Sequence, residues 1–468
     1  MRPDMTGMLL GAAALAILVG LLAAGSRSWA APVIAVAVLV LGAYYIRVLG
    51  MQVGLVALLI VTSTVDHFTF AVGPLSLRPE QVAALVALAA LAVINLRARS
   101  LTWLRPSLSE LLLMAWFLIG IISSLLASPD KRLSAKILAL IAICSLGFLL
   151  PRRLLAGPCS AERIETVTIW LLLVFAAEAA YGSIAYLLHV FGPTISITPN
   201  PASGHLSAFG TLWEQNVFGG FVAAGAIAWV YLGPPRFKWA SLGLAACVGG
   251  LFDSLTRAAW LAAALVGALG GVAPGLRRHI HLRQVGIGGL GSLVVVVATL
   301  VVDKLGHYNV LAGQAGGGGG AGLLASLLNV VDLIGRLNQT SPIWSDINAD
   351  PVFGRGIASF EALHVIDGVP QHVASLPLLV LNDTGVVGLL VFTGFVAVVI
   401  LRAWSVRGRP IVLGLGQMAI VIAVTNLATE TTELMIGWLL VGVLMAACDL
   451  APPAPAAPSQ SDAEVRPA

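Results

Sequence analysis

The sequence predicts an all-α membrane protein, a polytopic bundle of about 12–14 transmembrane helices with one large extracytoplasmic loop that contains short helices. Composition gives the first reason. Of the 468 residues, 58% are hydrophobic and 10% are charged, whereas charged residues make up roughly 25% of a soluble domain. The mean hydropathy of +0.95 agrees with this. The third observation is a succession of apolar runs, many of them close to the ~20 residues that cross a bilayer.

About fourteen apolar segments follow one another along the chain. They are Met8–Ala24, Ala31–Ile46, Met51–Ser63, Gln81–Leu96, Ser109–Ala127, Ser134–Leu150, Thr166–Val190, Asn216–Leu232, Trp239–Phe252, Ala258–Val272, Val285–Val302, Val386–Leu401, Ile411–Ala428 and Leu434–Cys448. The third, ninth and tenth segments are short, and half-helices are the alternative interpretation for them.

Basic residues between these segments predict the orientation of the chain. With the segments as drawn, five basic loops fall on one side of the membrane, which the positive-inside rule makes cytoplasmic. Both termini are then cytoplasmic. The basic residues are Arg97, Arg99 and Arg105, then Arg152 and Arg153, Arg236 and Lys238, Arg277, Arg278 and Arg283, and finally Arg402, Arg407 and Arg409.

The chain divides into four regions. Residues 1–302 form the first part of the transmembrane bundle, residues 303–385 the large outer loop and residues 386–450 the last transmembrane helices. The tail, residues 451–468, is rich in proline and alanine and is predicted to be a disordered cytoplasmic segment. A shorter outer stretch, Asp66–Glu80, is interpreted as a solvated connection.

The large loop has three parts. Gly313–Gly322 is a glycine-rich linker of the flexible kind. Leu323–Leu337 has apolar residues at helical spacing, which predicts an amphipathic helix on the membrane surface with Arg336 on its polar face. Asn338–Asp383 mixes acidic, basic and histidine residues, and is interpreted as a lid over a cavity between helices.

Familiar site motifs are missing from the sequence. There is no GxxxxGK[ST] loop, HExxH pair, G-x-S-x-G elbow or paired-cysteine motif. The net charge of +4 is no evidence for a nucleic-acid partner, and none is expected, because basic residues in a membrane protein mostly report topology. What remains is a set of polar residues on the predicted outer side. Arginine there suits a phosphate, and a carboxylate or imidazole can take a proton from a hydroxyl group.

Two short stretches in the transmembrane part carry both a structural and a functional interpretation. Glu214 and Asn216 precede a helix that is apolar from Val217 onward, where capping of the helix N-terminus would explain them. Arg257 must lie at a helix end or face a wet cavity, because an arginine at the membrane centre costs at least ~2.5 kcal/mol. Pairing with Asp253 is its structural alternative.

Four stretches also carry a pattern when they are taken in order. Residues 210–216 read G-T-L-W-E-Q-N, and residues 255–260 read L-T-R-A-A-W. Arg336 and Trp344 precede P-V-F-G-R-G at residues 351–356, and residues 378–388 read L-L-V-L-N-D-T-G-V-V-G. This order resembles that of the O-antigen ligase and polymerase superfamily, whose members are membrane glycosyltransferases that use undecaprenyl-diphosphate-linked glycans.

The corresponding family patterns are G-T-x-W-E-P-N, T-x-S-R-G-A-W, R…W…P-x-x-G-x-G and H-N-x-x-L-x-x-x-x-E-x-G-x-x-G. Gln215 stands in place of the usual proline, and Asp383 in place of the glutamate. Counted back from Gly385, the family histidine would fall at Ala374, whereas the nearest histidine, His372, lies two residues upstream. On a helix that offset rotates a side chain by roughly 200°. Either the chain is offset locally and His372 still reaches the cavity, or this protein does without that histidine.

The resemblance implies a transferase that acts on the periplasmic face of the bacterial inner membrane. An acceptor hydroxyl attacks the first sugar carbon of a glycan, and undecaprenyl diphosphate leaves. Arg257 and Arg336 would bind the diphosphate. His372, Asp383 and Glu214 are the candidate catalytic residues that orient or deprotonate the acceptor.

Asn216 and Arg355 are the candidate substrate-binding residues. No cofactor and no metal is implied, although Asp346 and Asp350 remain an alternative pair of metal ligands. The expected partners are the lipid-linked glycan donor, a glycolipid or glycan acceptor and membrane lipids, and no oligomeric state is predicted. The acceptor decides between a ligase and a polymerase.

Two other function classes stay open. Many helices, some of them short or interrupted, are also typical of a transporter of lipid-linked or small solutes, although the sequence has no internal repeat. A structural scaffold is the third class, and it predicts that substitutions throughout the outer loop are tolerated.

Overall fold

The fold is taken from a computed structural model, which describes residues 40, 42–65, 70–72, 75–97, 99, 105–157, 159–191, 196–199, 206–212, 214–233, 240–272, 280, 282–311, 342–366, 368–429 and 431–450. Four predicted features lie outside these residues. They are the first segment Met8–Ala24, the linker Gly313–Gly322, the surface helix Leu323–Leu337 with Arg336, and the tail 451–468.

The described part of the chain is almost entirely α-helical. The helices are α1 (42–49), α2 (Met51–Thr62), α3 (Pro79–Arg97), α4 (Leu108–Ala127), α5 (Lys131–Leu154), α6 (Ser160–Leu188), α7 (Gln215–Leu232), α8 (Ala240–Asp253), α9 (Arg257–Val272), α10 (Leu282–Leu311), α11 (342–349), α12 (Ser359–Leu363), α13 (Leu376–Ser405), α14 (Pro410–Thr425) and α15 (Met435–Cys448).

Three short antiparallel hairpins are the only sheets among the described residues. The hairpins pair β1 (Phe70–Val72) with β2 (Leu75–Leu77), β3 (Ile197–Pro199) with β4 (Leu206–Ala208), and β5 (Val365–Ile366) with β6 (Val369–Pro370). The predicted all-α class is therefore confirmed for the described chain.

Seven of the described helices are long and apolar enough to cross a membrane, and five more are apolar but only 10–17 residues long. Together they match the third to the fourteenth predicted segments. The side of α4 that faces away from the bundle carries Leu111, Met114, Leu118 and Leu125, which are 49–62% exposed. Such a continuous apolar surface fits lipid rather than water, so the chain is a membrane protein.

Polar residues begin two of these helices. Ser107 and Glu110 form a capping box at the start of α4, in which the Ser107 amide donates to the Glu110 carboxylate at 2.7 Å. Asp130 caps α5 by accepting from the amides of Arg132 and Leu133 at 3.0 and 2.9 Å. These caps fix the residue at which each helix begins.

The interior of the bundle is a continuous apolar core. Trp170, Phe175, Phe218 and Phe221 are almost fully buried in it, and the rings of Phe175 and Phe221 lie 4.3 Å apart. Gly225 packs so closely on Phe175 that a β-carbon there would lie 2.8 Å from its side chain. Packing of large rings on small residues brings α6 and α7 together.

The bundle has two ends with different chemistry. The arginine end holds Glu110 at the start of α4, Arg152 and Arg153 at the end of α5, and Asp449 after α15. The loop end is the opposite one, where α4 passes into α5 and where α13 and α15 begin. The candidate site lies at the loop end.

Both predicted limits of the loop 303–385 fall inside helices. Helix α10 continues beyond residue 302 to Leu311, and α13 begins at Leu376, ten residues before the predicted start at Val386. Hydropathy detects only the apolar length of a helix, and a helix can continue past it into polar sequence. Helices α10 and α13 therefore extend into the sequence assigned to the loop, and the described elements between them are α11, α12 and the β5–β6 hairpin.

Candidate functional site

Helix α13 is broken at Gly385, which has φ 64° and ψ −171°. The break leaves the last carbonyl groups of its first segment and the first amides of its second segment without partners inside the helix. A turn formed by Pro351–Ala358 supplies these partners. The Arg355 amide donates to the Asn382 carbonyl at 2.8 Å, and the Gly356 amide donates to the Asp383 carbonyl at 3.0 Å.

Carbonyl groups of the same turn accept hydrogen bonds from the first amides of the second segment of α13, after the break. The Val386 amide donates to the Pro351 carbonyl at 2.9 Å, and the Val387 amide donates to the Val352 carbonyl at 3.2 Å. Two of the four stretches that carry the family resemblance, residues 351–356 and 378–388, thus pair through their backbones.

Two serines of α4 and one of α5 fasten the turn to the bundle. Ser123 donates to the Asp383 carbonyl at 2.7 Å, and the Ser124 hydroxyl accepts from the Ile357 amide at 3.0 Å. Ser134 donates to the Ile357 carbonyl at 2.5 Å. All three serines are buried, so the bonds are shielded from water.

Glycine is required in this turn because the backbones approach one another closely. A β-carbon on Gly354 would lie 2.5 Å from the backbone of Asp383, and one on Gly385 would lie 2.2 Å from the Val352 carbonyl oxygen. Both residues also have positive φ, 73° and 64°. The glycines of these two stretches therefore have a structural reason.

Asp383, a predicted catalytic residue, is buried inside this arrangement. One carboxylate oxygen accepts from the Ala358 amide at 3.3 Å, and the other accepts from the Asn382 side chain at 3.1 Å. Asn382 also donates to the Ser359 hydroxyl at 3.0 Å. These contacts give Asp383 a role in holding the turn, and its catalytic role stays a prediction.

Asp346 on α11 joins two other residues of the loop. Its carboxylate accepts from Arg355 at 2.5 Å through one oxygen and from Nε2 of His364 at 2.7 Å through the other. Asp346 is buried, whereas Arg355 and His364 are each more than a quarter exposed. Arg355, a predicted substrate-binding residue, thus lies in a three-residue charged cluster.

A small apolar core carries this cluster. Ile343 and Ile347 of α11 pack on Phe360 of α12 and on Val373, and the first segment of α13 completes the contact. The Phe360 ring also lies 4.3 Å from the His364 ring. The stretch Asn338–Asp383, which was predicted to be a lid, thus contains a packed unit at the loop end.

His372 lies at the edge of this unit, in the non-helical stretch before α13. Its side chain is 71% exposed, and Nδ1 lies 2.7 Å from a carboxylate oxygen of Glu361. Because residues 371–375 are not helical, the rotation expected for a two-residue offset on a helix does not apply here. Catalysis by His372 stays a prediction.

Asp346 and Asp350 were the alternative metal ligands. Asp346 uses both carboxylate oxygens for Arg355 and His364, and Asp350 lies 3.7 Å from Arg355 Nε. Among the described residues, no group of three or more histidine, cysteine or acidic side chains is placed to hold a metal ion.

A second half of the loop end is built around Glu178 of α6. This glutamate is buried, and its carboxylate accepts from the Thr211 amide at 2.6 Å and from the Thr211 hydroxyl at 2.8 Å. Gly210 lies so close that a β-carbon would be 2.0 Å from the carboxylate. Glu178 therefore fixes the start of the stretch at residues 210–216.

The same stretch contacts the third one with a family pattern. The Thr256 hydroxyl donates to the Gln215 carbonyl at 2.9 Å, and Thr256 packs against Gly219. Arg257 follows as the first residue of α9 and is partly buried. Its position at a helix end agrees with the prediction. Asp253 instead accepts from Thr299 at 2.6 Å and forms no ion pair with Arg257 in the described structure.

Glu214 and Asn216, two further predicted site residues, interact with each other. Glu214 occupies the N-cap position of α7, but its side chain makes no capping bond there. It accepts instead from the Asn216 side-chain amide. The predicted capping by Glu214 is therefore wrong, and the exposed carboxylate lies at the surface of the loop end.

The end of α14 links the two halves. Thr425 packs against Gly220 of α7 on one side. On the other side, the Leu376 amide donates to the carbonyls of Asn426 and Thr429 at 3.0 and 3.1 Å, which holds the start of α13. No sequence pattern predicted a role for this polar stretch.

The sequence patterns also did not predict the burial of two glutamates, Glu80 and Glu178. Glu80 was assigned to a solvated connection, which is wrong, because it is 1% exposed in the first turn of α3. Glu178 is the only acidic residue in the predicted segment Thr166–Val190, and an ionisable residue within an apolar segment is the signal that identifies it.

The chain was compared with protein-family models and with curated proteins. None of the protein-family models matches the chain. Curated proteins likewise include no match.

Proposed function

We propose that the protein is a membrane glycosyltransferase of the O-antigen ligase kind, which transfers a glycan from undecaprenyl diphosphate to an acceptor hydroxyl in surface polysaccharide or lipopolysaccharide synthesis. One observation carries the proposal. The described parts of the four family-like stretches form two contacting pairs, residues 351–356 with 378–388 and residues 210–219 with 255–260. Both pairs lie at the loop end of the bundle, so the stretches that resemble the family come together at one end.

The proposed reaction requires positive charge near the leaving group. The acceptor oxygen forms a bond to the first sugar carbon while the bond from that carbon to the diphosphate oxygen breaks, and the electron pair leaves with undecaprenyl diphosphate. Arg257 at the start of α9 would bind the diphosphate, because both a guanidinium group and a helix N-terminus favour an anion. Arg336, which lies outside the described residues, is the second predicted diphosphate ligand.

The acceptor distinguishes a ligase from a polymerase. A ligase transfers the glycan to a different surface lipid or protein, such as the lipid A core, whereas a polymerase transfers it to a second lipid-linked repeat. We propose the ligase, with the polymerase as the alternative within the same chemistry. In both cases the site would face the periplasm from the inner membrane, since the basic loops assign the arginine end to the cytoplasm.

Purified protein in liposomes tests the proposal. The donor is the undecaprenyl-diphosphate-linked glycan extracted from the membranes of the source cells, and their remaining lipids serve as acceptors. Mass spectrometry measures released undecaprenyl diphosphate and identifies the product. We expect release by the native protein and at least a 100-fold loss in Arg257→Ala and Arg336→Ala, because charge stabilisation of this kind contributes about 10²–10³ in rate.

Arg407→Ala is the matched control, since Arg407 lies at the arginine end, where it stacks on Trp404 at 4.3 Å. Its activity should stay within about twofold of the native value. The proposal is wrong if the native protein releases no undecaprenyl diphosphate, or if Arg257→Ala and Arg336→Ala both leave transfer intact.

A transporter is the second candidate, and the break in α13 favours it, because interrupted helices line the substrate sites of many transporters. The same liposomes separate the two functions. Movement of the lipid-linked glycan across the bilayer without a covalent product would support transport, whereas a new glycosidic product would support transfer.

A further inference from the structure

The three-residue cluster of the loop contains an imidazole oriented by a buried carboxylate. Asp346 is 8% exposed at its side chain, and it accepts from Nε2 of His364 at 2.7 Å. The opposite ring nitrogen, Nδ1, has no hydrogen-bond partner among the described residues. A histidine held in this way by a carboxylate is the arrangement that prepares the free nitrogen to accept a proton.

The cluster also presents donors for an anionic or hydroxylated ligand. Arg355 donates through Nη1 to Asp346 at 2.5 Å, and its Nε lies 3.7 Å from a carboxylate oxygen of Asp350. Its side chain remains 27% exposed. A partly exposed guanidinium group can bind a ligand, and an oriented imidazole next to it can accept a proton from that ligand.

Other acidic and imidazole groups at the loop end are less suited to this task. Asp383 is buried, and both carboxylate oxygens accept hydrogen bonds from the turn. His372 is 71% exposed and pairs with Glu361, which is itself on the five-residue helix α12. His364 combines partial exposure, ring packing on Phe360 and a buried carboxylate partner.

We propose that His364 is the general base for the acceptor hydroxyl, and that Asp346 positions it while Arg355 binds the acceptor beside it. This assignment rests on the proposed glycosyl transfer and replaces His372 as the catalytic histidine. Nδ1 of His364 takes the hydroxyl proton as the acceptor oxygen bonds to the sugar carbon. Undecaprenyl diphosphate departs with the electron pair of the broken bond, and the imidazolium later gives its proton to water.

Several other charged groups lie around His364. Asp346 on α11 contacts both His364 and Arg355, and Asp350 lies 3.7 Å from Arg355. Glu361 and His372 form the neighbouring pair.

Substitution of the two loop histidines tests the assignment in the same liposomes. His364→Gln should lower kcat for undecaprenyl diphosphate release at least 100-fold with little change in KM for the donor, since a general base contributes about 10²–10⁴. His372→Gln should lose less than about tenfold. His189→Gln is the matched control. His189 directly follows α6, where Nδ1 is hydrogen-bonded to the Tyr186 carbonyl and the ring packs against the Tyr186 ring.

Two further measurements separate catalysis from a structural role. His364→Gly should recover activity on addition of free imidazole, whereas a histidine needed only for folding would not be replaced in this way. Asp346→Asn should lower kcat by about tenfold or more with little change in KM for the donor, because the amide no longer orients the imidazole as the carboxylate does.

The outcomes separate the two proposals. A native protein that releases no undecaprenyl diphosphate overturns the glycosyl transfer itself. An active native protein overturns only the His364 assignment if His364→Gln keeps more than about a tenth of the native kcat, if imidazole fails to rescue His364→Gly, or if His372→Gln alone abolishes transfer.

Discussion

At the arginine end, Glu110 is buried between two cations, with Arg152 at 3.0 Å and Arg153 at 2.6 Å, and Arg152 also binds Asp449 at 2.7 Å. At the loop end, Glu178 is also buried, and its hydrogen-bond donors among the described residues are the neutral groups of Thr211. Glu110 and Glu178 are therefore buried in opposite surroundings, one among cations and the other among neutral donors.

The difference lies in the charge that faces each buried carboxylate. A buried carboxylate with matched arginines holds helix ends together, and removing one partner leaves an uncompensated charge. A buried carboxylate without a cation costs stability. Ionisable residues of this kind within membrane segments mark functional regions. Glu110 thus fastens helix ends through ion pairs, whereas Glu178 holds the start of the stretch at residues 210–216 through neutral donors.

Loss of the central charge at the arginine end should have the largest effect. Glu110→Gln leaves Arg152 and Arg153 facing a neutral amide, so the free energy of unfolding should fall by about 3–5 kcal/mol. Thermal unfolding in detergent, followed by tryptophan fluorescence, measures the change. A fall of less than about 1 kcal/mol would mean that water compensates these arginines, and that the two ends do not differ as described.

The next largest effect should come from the break in α13. Gly385→Ala forces a side chain into a residue with φ 64° and brings its β-carbon 2.2 Å from the Val352 carbonyl oxygen. Strain and overpacking of this kind cost about 2–4 kcal/mol. Transfer should fall as well, because the turn that carries Arg355 would shift.

Gly416→Ala is the control for the break, since Gly416 lies within α14 and a β-carbon there would meet no atom within 4 Å. It should leave stability unchanged or raise it by up to about 1 kcal/mol. Equal melting temperatures for the two alanine variants would show that the turn does not need glycine.

A smaller loss of stability is expected from substitution of Glu178, whose carboxylate accepts hydrogen bonds from Thr211. Glu178→Gln keeps one acceptor oxygen for Thr211 but places an amide NH₂ group where the second oxygen accepted, which should cost about 1–2 kcal/mol. Comparison with Glu110→Gln uses the same chemical change at both ends. A cost at Glu178 equal to that at Glu110 would indicate a cation near Glu178 and would remove the contrast.

Glu80 should give the smallest effect and the opposite sign. Neither of its carboxylate oxygens has a hydrogen-bond partner among the described residues, although it is 1% exposed. Glu80→Gln removes a group that burial disfavours, so the unfolding free energy should stay level or rise by about 1 kcal/mol. A marked fall in the same melting experiment would reveal a partner that Glu80 needs.

The sequence predicted the described helices well because their signal is local. Twelve predicted segments match described helices, from Met51–Thr62 to Met435–Cys448. Each apolar run reports its own burial in lipid or core, whatever its neighbours are. Even the position of Arg257 at a helix end followed from the cost of placing a guanidinium group within the membrane.

The same local signal failed where polar contacts determine the fold. It placed the start of a helix at Val386, whereas α13 begins at Leu376 and breaks at Gly385 because the turn 351–358 supplies its backbone partners. It also assigned Glu80 to a solvated connection, since a single charged residue at a segment end gives no sign of its burial.

The sequence by itself determined that this is a membrane helix bundle and which four stretches resemble a glycosyltransferase family. Only the tertiary structure decided which polar groups meet. Thr211 binds Glu178 from 33 residues away, and His364 binds Asp346 from 18 residues away. Hydropathy is a property of adjacent residues, whereas such pairs depend on how helices pack, so the chemistry at the loop end becomes visible only in the folded chain.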